Sequence, residues 1–516
     1  MKAASWLVEN VRGRRFLALV LMVYLVGGLL LLPLYRYQLN PDGISYISIS
    51  QKYAAGNFHD ALNGYWSPLI SWLLLPFTLT HHNPQVGEKL LMLLVGALII
   101  LFSYLMLKHW RVEQKIQLLA LVVLVPLNWY WSLVSPITPD LLVVLSFIIY
   151  VWLLGTDIKS HYLKAALLGV VGAVGFYAKA FFLPFFIVHL GIKAYLDARK
   201  ATKPKNHYKQ YALSLAVVIL LLAPWVSALS AKYHHLTIST SGSYNLSTND
   251  PQKPGQPMNY LGLIPPPNKT AVSSWEDPSY IKTTGWKPLA SLRSAHEYFD
   301  VVLENIRVTG IIFLGFSVFS LAILTYVLLR LLDGRNKTYR QELSTLYSAG
   351  AVYTIGYLLL VREERYFWPV FLALLLMICL IAGEGLKKFS KLPAQLAMLA
   401  VAVSIGFMPI KQLIDNSQED KNVWQTSVGL QSYIKPGAHV ASNNFNSIKN
   451  CYYLKTICYG AINPKQGTAA VQAQLTKYKV TDILILDEPD WQKPDYLTGY
   501  HEQPTGDPSV RLLILD

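Results

Sequence analysis

The residues of this sequence that are best suited to chemistry are a few charged side chains set beside long apolar runs. Two are acids, Asp42 and Asp140, and two are cations, Lys179 and Arg365. Charged groups near the hydrocarbon of a membrane are costly, so each is a functional candidate. A carboxylate can take a proton from an acceptor hydroxyl, and a Lys or Arg side chain can bind a phosphate.

Each acid has a structural interpretation beside the functional one. Asp42 precedes a stretch with apolar residues at helical spacing. It is therefore an N-cap candidate, a role worth about 1 kcal/mol, and this does not exclude a role as general base. Asp140 ends the motif 135–140. There it either compensates a helix dipole or acts as a second acid facing the same cavity as Asp42.

The cations are equally open to two interpretations. Lys179 interrupts a long apolar run; it either extends to the lipid headgroups or binds a phosphate as a compact charge. Arg362 and Arg365 belong to a charged turn, 362–365, that is followed by Tyr366. The charges of this turn can pair with each other, which contributes little when they are exposed. Alternatively, the arginines offer a bidentate fork for a phosphate, and Tyr366 a hydroxyl.

The elements that must position these residues are membrane helices. The 516 residues are 53% hydrophobic and 15% charged, against roughly 25% charged in a soluble protein. This composition excludes a disordered chain, a collagen-like chain and an ordinary soluble enzyme, and three cysteines exclude a disulfide scaffold. A spanning helix needs about 20 apolar residues. We predict about eleven, near 16–35, 87–107, 116–134, 140–155, 163–178, 180–195, 210–230, 306–331, 343–361, 366–383 and 393–410.

The basic residues indicate how the chain is oriented. Lys and Arg concentrate at the N-terminus and in alternate loops, which predicts a cytoplasmic N-terminus and an extracytoplasmic C-terminus. The net charge of +15 is then a topology signal, and no nucleic acid partner is expected. The N-terminal run is not expected to be a cleaved signal peptide. The N-terminal module, 1–410, has outer loops at about 36–86 and 231–304.

The first outer loop is predicted to hold two interfacial helices, one after Asp42 and one at 67–79. Tryptophans of the second, Trp66 and Trp72, suit the headgroup level. The loop 231–304 is rich in proline and should hold little regular structure. The segment 411–516 predicts a small α/β extracytoplasmic domain, with helices over 421–434 and 468–478 and strands over 439–442, 451–459, 481–486 and 510–515.

The cysteines leave one question open. Cys451 and Cys458 are both on the predicted outer side, where a disulfide is permitted. A disulfide and two free thiols are equally compatible with the sequence. Cys379 lies in a predicted membrane helix and is most simply a packing residue.

The order of these motifs resembles the GT-C superfamily of membrane glycosyltransferases, and within it the branch of protein O-mannosyltransferases and aminoarabinose transferases. The resemblance covers roughly residues 1–410. It rests on Pro41-Asp42-Gly43, Ser67-Pro68-Leu69, Thr138-Pro139-Asp140, Ala178-Lys179-Ala180 and Glu364-Arg365-Tyr366-Phe367-Trp368-Pro369. It implies a GT-C-like fold and transfer of a hexosyl or pentosyl group, with inversion, from a polyprenyl-phosphate donor at the extracytoplasmic face. Asp42 would be the general base, and donor-phosphate binding would fall to Lys179, Arg362, Arg365 and Tyr366.

Two positions depart from the pattern of that family. Many relatives have Asp-Glu where this chain has Asp42-Gly43. The second surface helix opens with Tyr65-Trp66-Ser67-Pro68 where the aminoarabinose branch has Glu-Lys-Pro-Pro, which removes a basic phosphate ligand and a metal ligand. We therefore assign no metal site; a divalent cation stays open but is not indicated.

The expected partners are the lipid-linked donor, membrane lipid and an acceptor that is a protein, a glycolipid or a polysaccharide. The plasma (inner) membrane is the expected location. A transporter or flippase of lipid-linked saccharide is one alternative, although transporters often carry repeats and this sequence shows none. A polysaccharide polymerase or ligase and a non-catalytic scaffold are the others.

Overall fold

The computed structural model describes residues 2–134, 136–199, 204–333, 337–388, 391–488, 490–507 and 509–516. Ser135, the first residue of the motif 135–140, lies outside this part of the chain. The predicted apolar runs form a bundle of helices. Those up to the outer segment 231–304 are α1 (Lys2–Tyr35), α2 (Pro41–Ala54), α3 (Phe58–Ala61), α4 (Leu69–Leu79), α5 (Pro84–His109), α6 (Gln114–Trp129, continued by a π-helical turn Tyr130–Val134), α7 (Asp140–Gly155), α8 (His161–Ala178), α9 (Phe182–Ala198) and α10 (Pro204–Tyr233).

The remaining elements divide between the bundle and a sheet domain at the end of the chain. The helices are α11 (Ser241–Ser247), α12 (Leu292–Phe316), α13 (Ser320–Asp333), α14 (Arg340–Leu358), α15 (Trp368–Lys388), α16 (Lys391–Asp415), α17 (Lys421–Leu430), α18 (Ile448–Leu454) and α19 (Thr468–Lys477). The strands are β1 (His439–Ser442), β2 (Ile457–Ala461), β3 (Asp482–Leu486), β4 (Tyr500–Gln503) and β5 (Val510–Leu515).

Every predicted run lies on a helix or a pair of helices. In the described part of the chain, seven helices are long and apolar enough to cross a membrane, or eight if a bent pair counts as one span. Three of the others, α7, α9 and α14, do not meet this measure; α7 has only 16 residues and α9 only 17, fewer than the roughly 20 that a span needs. The chain is therefore a polytopic helical membrane protein, and the number eleven stays a prediction.

The predicted span 306–331 is a broken pair of helices. Helix α12 ends at Phe316, and α13 leaves it at an angle of 103°. The Val318 N–H donates to Ser404 Oγ of α16 at 3.1 Å. The hydroxyl thus accepts a hydrogen bond from a backbone N–H that has no partner within the helix at the break. In apolar surroundings a backbone N–H needs such a partner. Hydropathy does not show this break because apolar residues continue through it.

The start of α2 decides the structural role of Asp42. The N-cap is Asn40, whose side-chain Oδ1 accepts from the Gly43 N–H at 3.1 Å. The interpretation of Asp42 as the N-cap is therefore wrong, because Asp42 lies inside the first turn. Its carboxylate is free for other partners. The helix itself is largely buried, since the outer segment that follows α10 covers it.

That outer segment holds only short elements, as predicted, but it is firmly packed. It contains α11 and 3₁₀ turns at Pro257–Asn259, Ser274–Glu276 and Pro278–Tyr280. Glu276 accepts from Lys52 and Ser48 of α2, and the side chains of the Lys52–Glu276 pair are only 4% and 3% exposed. A buried ion pair that loses one partner leaves an uncompensated charge, which is strongly destabilising. The segment is thereby tied to α2.

The C-terminal sheet has five strands in the order β2-β1-β3-β5-β4. Strand β1 pairs in parallel with β2 and β3, and β5 is antiparallel to β3 and β4. Three predicted strands are confirmed, at β1, β3 and β5. The predicted strand 451–459 is wrong in its first half, which belongs to α18. Strand β4 was not predicted from the sequence. A short apolar run such as 451–454 fits a helix and a strand equally well.

Cys451 and Cys458 are free thiols, and both are buried. Burial raises the pKa of the Cys451 thiol. The backbone of Cys458 also contacts the outer segment, because its N–H donates to the Val272 carbonyl at 2.7 Å. The edge strand β2 therefore holds the outer segment just before its second 3₁₀ turn. Cys379 is buried inside the bundle, as predicted.

Gly43 has no room for a side chain. A Cβ at this position would lie 2.6 Å from Ile137 Cβ and 2.7 Å from Asn40 Oδ1. We expect Gly43→Ala to lower the free energy of unfolding by roughly 1–3 kcal/mol, because overpacking displaces the start of α2. Thermal unfolding in nanodiscs measures this. Gly191→Ala is the control, since nothing lies within 4 Å of a Cβ there. Equal melting of the two variants would contradict tight packing at Gly43.

Candidate functional site

Four of the predicted residues meet at one end of the helix bundle. Asp42 lies in the first turn of α2, Asp140 is the first residue of α7, Lys179 follows α8 directly, and Arg365 lies in the 3₁₀ turn before α15. Together with Tyr366 they line a cavity of about 420 Å³. Residues far apart in the chain are thus brought to a single cavity.

The charged groups of the cavity form one connected network. Lys179 Nζ donates to Asp140 Oδ1 at 2.6 Å, and Arg365 Nη2 donates to Asp42 Oδ2 at 2.9 Å. Arg365 Nε donates to Glu363 Oε2 at 2.6 Å and lies 3.8 Å from Asp140 Oδ2. Two cations therefore serve three carboxylates, and Arg365 touches all three.

Lys179 points into the protein. Its ammonium lies 2.6 Å from Asp140 and 3.6 Å from the centre of the Tyr366 ring. Burial lowers the pKa of Lys179, and the charge of Asp140 opposes this shift. The interpretation that Lys179 extends to the headgroups does not describe this geometry. A cation held over a ring face in a cavity suits an incoming anion.

The sequence did not identify Trp275, which is a further member of the site. Its indole Nε1 donates to Asp42 Oδ1 at 2.9 Å. Its carbonyl oxygen accepts from Ser45 Oγ at 3.1 Å and from Trp66 Nε1 at 3.0 Å. Trp275 stands 233 residues from Asp42 in a proline-rich segment, and no local pattern marks it.

Trp66 needs a correction. The sequence suggested a headgroup anchor, but Trp66 is only 8% exposed and lines the cavity. It precedes α4, which begins at Leu69, and it supports Trp275 through the hydrogen bond above. The headgroup interpretation failed because a tryptophan at a membrane edge can equally pack inward against other aromatic rings.

Asp42 holds one donor on each carboxylate oxygen, Trp275 on Oδ1 and Arg365 on Oδ2. A carboxylate offers about four lone-pair positions. Two are therefore open, and the side chain is 17% exposed towards the cavity. A carboxylate that is fixed in direction and still accessible can receive a proton from a bound hydroxyl.

Arg362 is not brought into the cavity. Its guanidinium donates to Asn305 Oδ1 and lies 3.9 Å from Glu304. Glu364 also turns away and accepts from Tyr130 Oη at 3.2 Å. Of the charged turn 362–365, only Arg365 lines the cavity. The assignment of Arg362 to a phosphate stays a prediction.

The rest of the cavity wall has two further regions. One is neutral and polar and includes Tyr65, Ser67, Ser239, Ser241 and Asn245. The other is apolar and is formed by Phe181, Leu183, Pro184, Ile187, Leu360 and Val361. The cavity is thus divided among a charged region, a neutral polar region and an apolar region.

The acids of the site do not form a metal-binding set. Over the described residues, no group of three or more His, Cys, Asp or Glu side chains is arranged to hold a metal ion. The carboxylates of Asp42 and Asp140 are held by Arg365 and Lys179. Cations at hydrogen-bond distance from both acids do not suit a divalent ion at the same place.

The bundle, the covered helix α2 and the small sheet domain define an integral membrane protein with the GT-C fold. Among solved structures, the chain is similar to ArnT from Cupriavidus metallidurans in the apo state, with a TM-score of 0.56 and 13% identity over 99% of this chain and 98% of that one. ArnT bound to undecaprenyl phosphate gives a TM-score of 0.55 and 12% identity over the same shares.

The oligosaccharyltransferase of Archaeoglobus fulgidus, in complex with Zn and sulfate, is also similar. Its TM-score is 0.57 and its identity 11%, over 91% of this chain and 68% of that one. No protein-family model matches the sequence, and no curated protein matches it. At these identities the likeness is one of fold, and it confirms the GT-C-like membrane fold that the sequence predicts.

The Lys179–Asp140 pair gives a test of the network. Lys179→Met should lower the free energy of unfolding by roughly 1–3 kcal/mol, because it removes the hydrogen-bond partner of a buried carboxylate. The double variant Lys179→Met/Asp140→Asn should recover part of this loss. Thermal unfolding in nanodiscs measures both.

The control for this pair is Lys411→Met, which breaks the Lys411–Asp415 pair. The side chains of that pair are 52% and 47% exposed, and exposed pairs contribute about 0–1 kcal/mol. A Lys179→Met variant that melts like Lys411→Met would show that the network does not constrain the fold.

Proposed function

We propose that this chain is a glycosyltransferase that moves a hexosyl or pentosyl group from a polyprenyl-phosphate donor to an acceptor at the extracytoplasmic face of the membrane. The observation that carries the proposal is the cavity itself. It joins an accessible carboxylate, Asp42, to two cations, Lys179 and Arg365, and to an apolar region. These are the groups needed for a base, a phosphate site and a lipid chain.

In the proposed reaction Asp42 acts as the general base. It takes the proton of the acceptor nucleophile, a hydroxyl group in the simplest case. The oxygen then bonds to the anomeric carbon while the bond from that carbon to the phosphate oxygen breaks. The electron pair leaves with the polyprenyl phosphate. A single displacement of this kind inverts the configuration at the anomeric carbon.

The departing phosphate gains negative charge, so fixed cations near it lower the barrier. Lys179 and Arg365 fill this role, with Tyr366 beside them; the ring of Tyr366 lies 3.6 Å from Lys179 Nζ. Arg365 is the more versatile ligand because a guanidinium can bind two phosphate oxygens at once. These cations are held in place by Asp140, Asp42 and Glu363.

The polyprenyl chain is assigned to the apolar region of the cavity. Pro184 and Ile187 of α9 line this region together with Leu360 and Val361. A structure of ArnT bound to undecaprenyl phosphate has the same fold, which supports a polyprenyl-phosphate ligand here. The acceptor is a protein, a glycolipid or a polysaccharide. The plasma (inner) membrane, with the sheet domain on the extracytoplasmic side, is the proposed location.

Asp42→Asn tests the base. We expect the rate of sugar transfer to fall by roughly 10²–10⁴, the usual contribution of a general base. The assay follows labelled polyprenyl-phosphate monosaccharides with purified protein in nanodiscs supplied with an extract of envelope lipids and glycans. Thermal melting confirms that the variant folds.

Equal transfer by both proteins would remove Asp42 as the base. A protein that moves the labelled lipid across vesicle membranes, but consumes none of it, would favour the transporter alternative. The scaffold alternative predicts neither transfer nor movement by either protein.

Trp275→Phe tests how Asp42 is positioned. The substitution keeps a ring and removes the N–H that Asp42 accepts, so kcat should fall roughly tenfold or more, since a hydrogen bond to a charged group is worth about 1.5–3 kcal/mol. The KM for the donor should change little, because the side-chain partners of Trp275 are Asp42, Ser45 and Trp66 and not the phosphate-binding cations. Steady-state kinetics with a donor that wild type accepts measures both.

The matched control is Trp286→Phe in the same outer segment. The buried Trp286 Nε1 has no hydrogen-bond partner within the described part of the protein, so this variant loses no hydrogen bond. Equal kcat values for the two variants would show that the Trp275 N–H does not position the base.

A further inference from the structure

The neutral polar region of the cavity carries information about the sugar. We infer that the donor sugar is uncharged and that Tyr65 and Asn245 bind its hydroxyl groups. This inference rests on the proposed function and narrows its substrate class. It excludes as preferred donors sugars that carry an ammonium or a carboxylate group.

Tyr65 and Asn245 hold each other in a fixed arrangement. Tyr65 Oη donates to Asn245 Oδ1 at 3.2 Å. The amide oxygen is thus used, and the amide Nδ2 has no hydrogen-bond partner among the residues that the structure describes. Both side chains line the cavity. A free amide N–H₂ group in a cavity offers two donors to ligand oxygens.

The Tyr65 ring is supported from several sides. Its centre lies 4.5 Å from the Trp66 ring, 5.3 Å from Tyr244 and 5.6 Å from Trp275. Burial raises the pKa of the Tyr65 phenol, and Tyr366 and Asp42 raise it further. The phenol therefore stays neutral and protonated near pH 7. A rigid ring with one polar end suits a sugar, which presents both C–H and hydroxyl groups.

This pair lies close to the place where the reaction must occur. Trp275 contacts both Tyr65 and the proposed base: its ring packs against Tyr65, and its indole N–H donates to Asp42. The anomeric carbon of the donor must lie near Asp42, because the acceptor oxygen that Asp42 deprotonates attacks it. The sugar ring attached to that carbon then falls beside Tyr65 and Asn245.

The charges of the cavity wall argue for an uncharged sugar. Asp42 and Asp140 are ion-paired with Arg365 and Lys179. The other members of the neutral polar region of the cavity wall, Ser67, Ser239 and Ser241, carry no charge. An ammonium group buried here would have no unpaired carboxylate, and an unpaired buried charge is costly. A sugar carboxylate would lie near Asp42, and in the proposed reaction the cations of the cavity, Lys179 and Arg365, are taken by the donor phosphate.

The experiment compares donors that differ only in charge. Polyprenyl-phosphate arabinose is paired with its 4-amino-4-deoxy analogue, and polyprenyl-phosphate glucose with glucosamine. Wild type should prefer a neutral donor over its amino analogue by at least tenfold in kcat/KM. Asn245→Asp places a carboxylate in the neutral region, so it should reduce or reverse that preference.

The control is Asn259→Asp, which adds the same charge at an exposed position of the same outer segment and should leave the preference unchanged. A wild type that prefers amino sugars would overturn the inference and leave the proposed function intact. An Asn245→Asp protein with the wild-type preference would overturn the role of Asn245. No turnover of any donor would overturn the proposed function and the inference together.

Discussion

The site depends on the ion pairs that the Arg365 guanidinium makes with the surrounding carboxylates. The guanidinium lies 2.9 Å from Asp42, 2.6 Å from Glu363 and 3.8 Å from Asp140. Carboxylates grouped around one point repel each other, and a cation among them offsets that repulsion. Arg365, with Lys179 on Asp140, therefore makes it possible for the ends of α2, α7 and α15 to meet. The same contacts build the fold and the proposed chemistry.

Contacts of the outer segment with α2 and with the sheet domain fix the direction of the Asp42 carboxylate. The backbone of Cys458 in the sheet domain holds Val272, and Glu276 is bound to Lys52 of α2. Trp275 lies between these two attachment points and reaches Asp42 with its indole N–H. The C-terminal domain thus contributes to the site, although none of its described side chains lines the cavity. Its edge strand supports the outer segment that completes the environment of the base.

The sequence predicted what depends on local composition. Apolar runs located the helices, and the cost of charge at a membrane edge selected Asp42, Asp140, Lys179 and Arg365. It could not show contacts that depend on chain segments far apart, which is why Trp275 was missed. It also could not separate a helix from a strand in the short run 451–454, nor find the break after α12, where hydropathy does not change.

Gly43, which follows Asp42, departs from the family pattern described above, and the structure explains this departure. At the position where the family that the motifs resemble often has a second acid, Gly43 leaves the space that Ile137 fills, because a Cβ would lie 2.6 Å from Ile137. Ile137 stands three residues before Asp140, so this close contact sets the start of α7 against the start of α2. Asp140 supplies a further carboxylate in the wall of the same cavity. Close to this contact both acids lie beside Arg365, Asp42 at 2.9 Å and Asp140 at 3.8 Å.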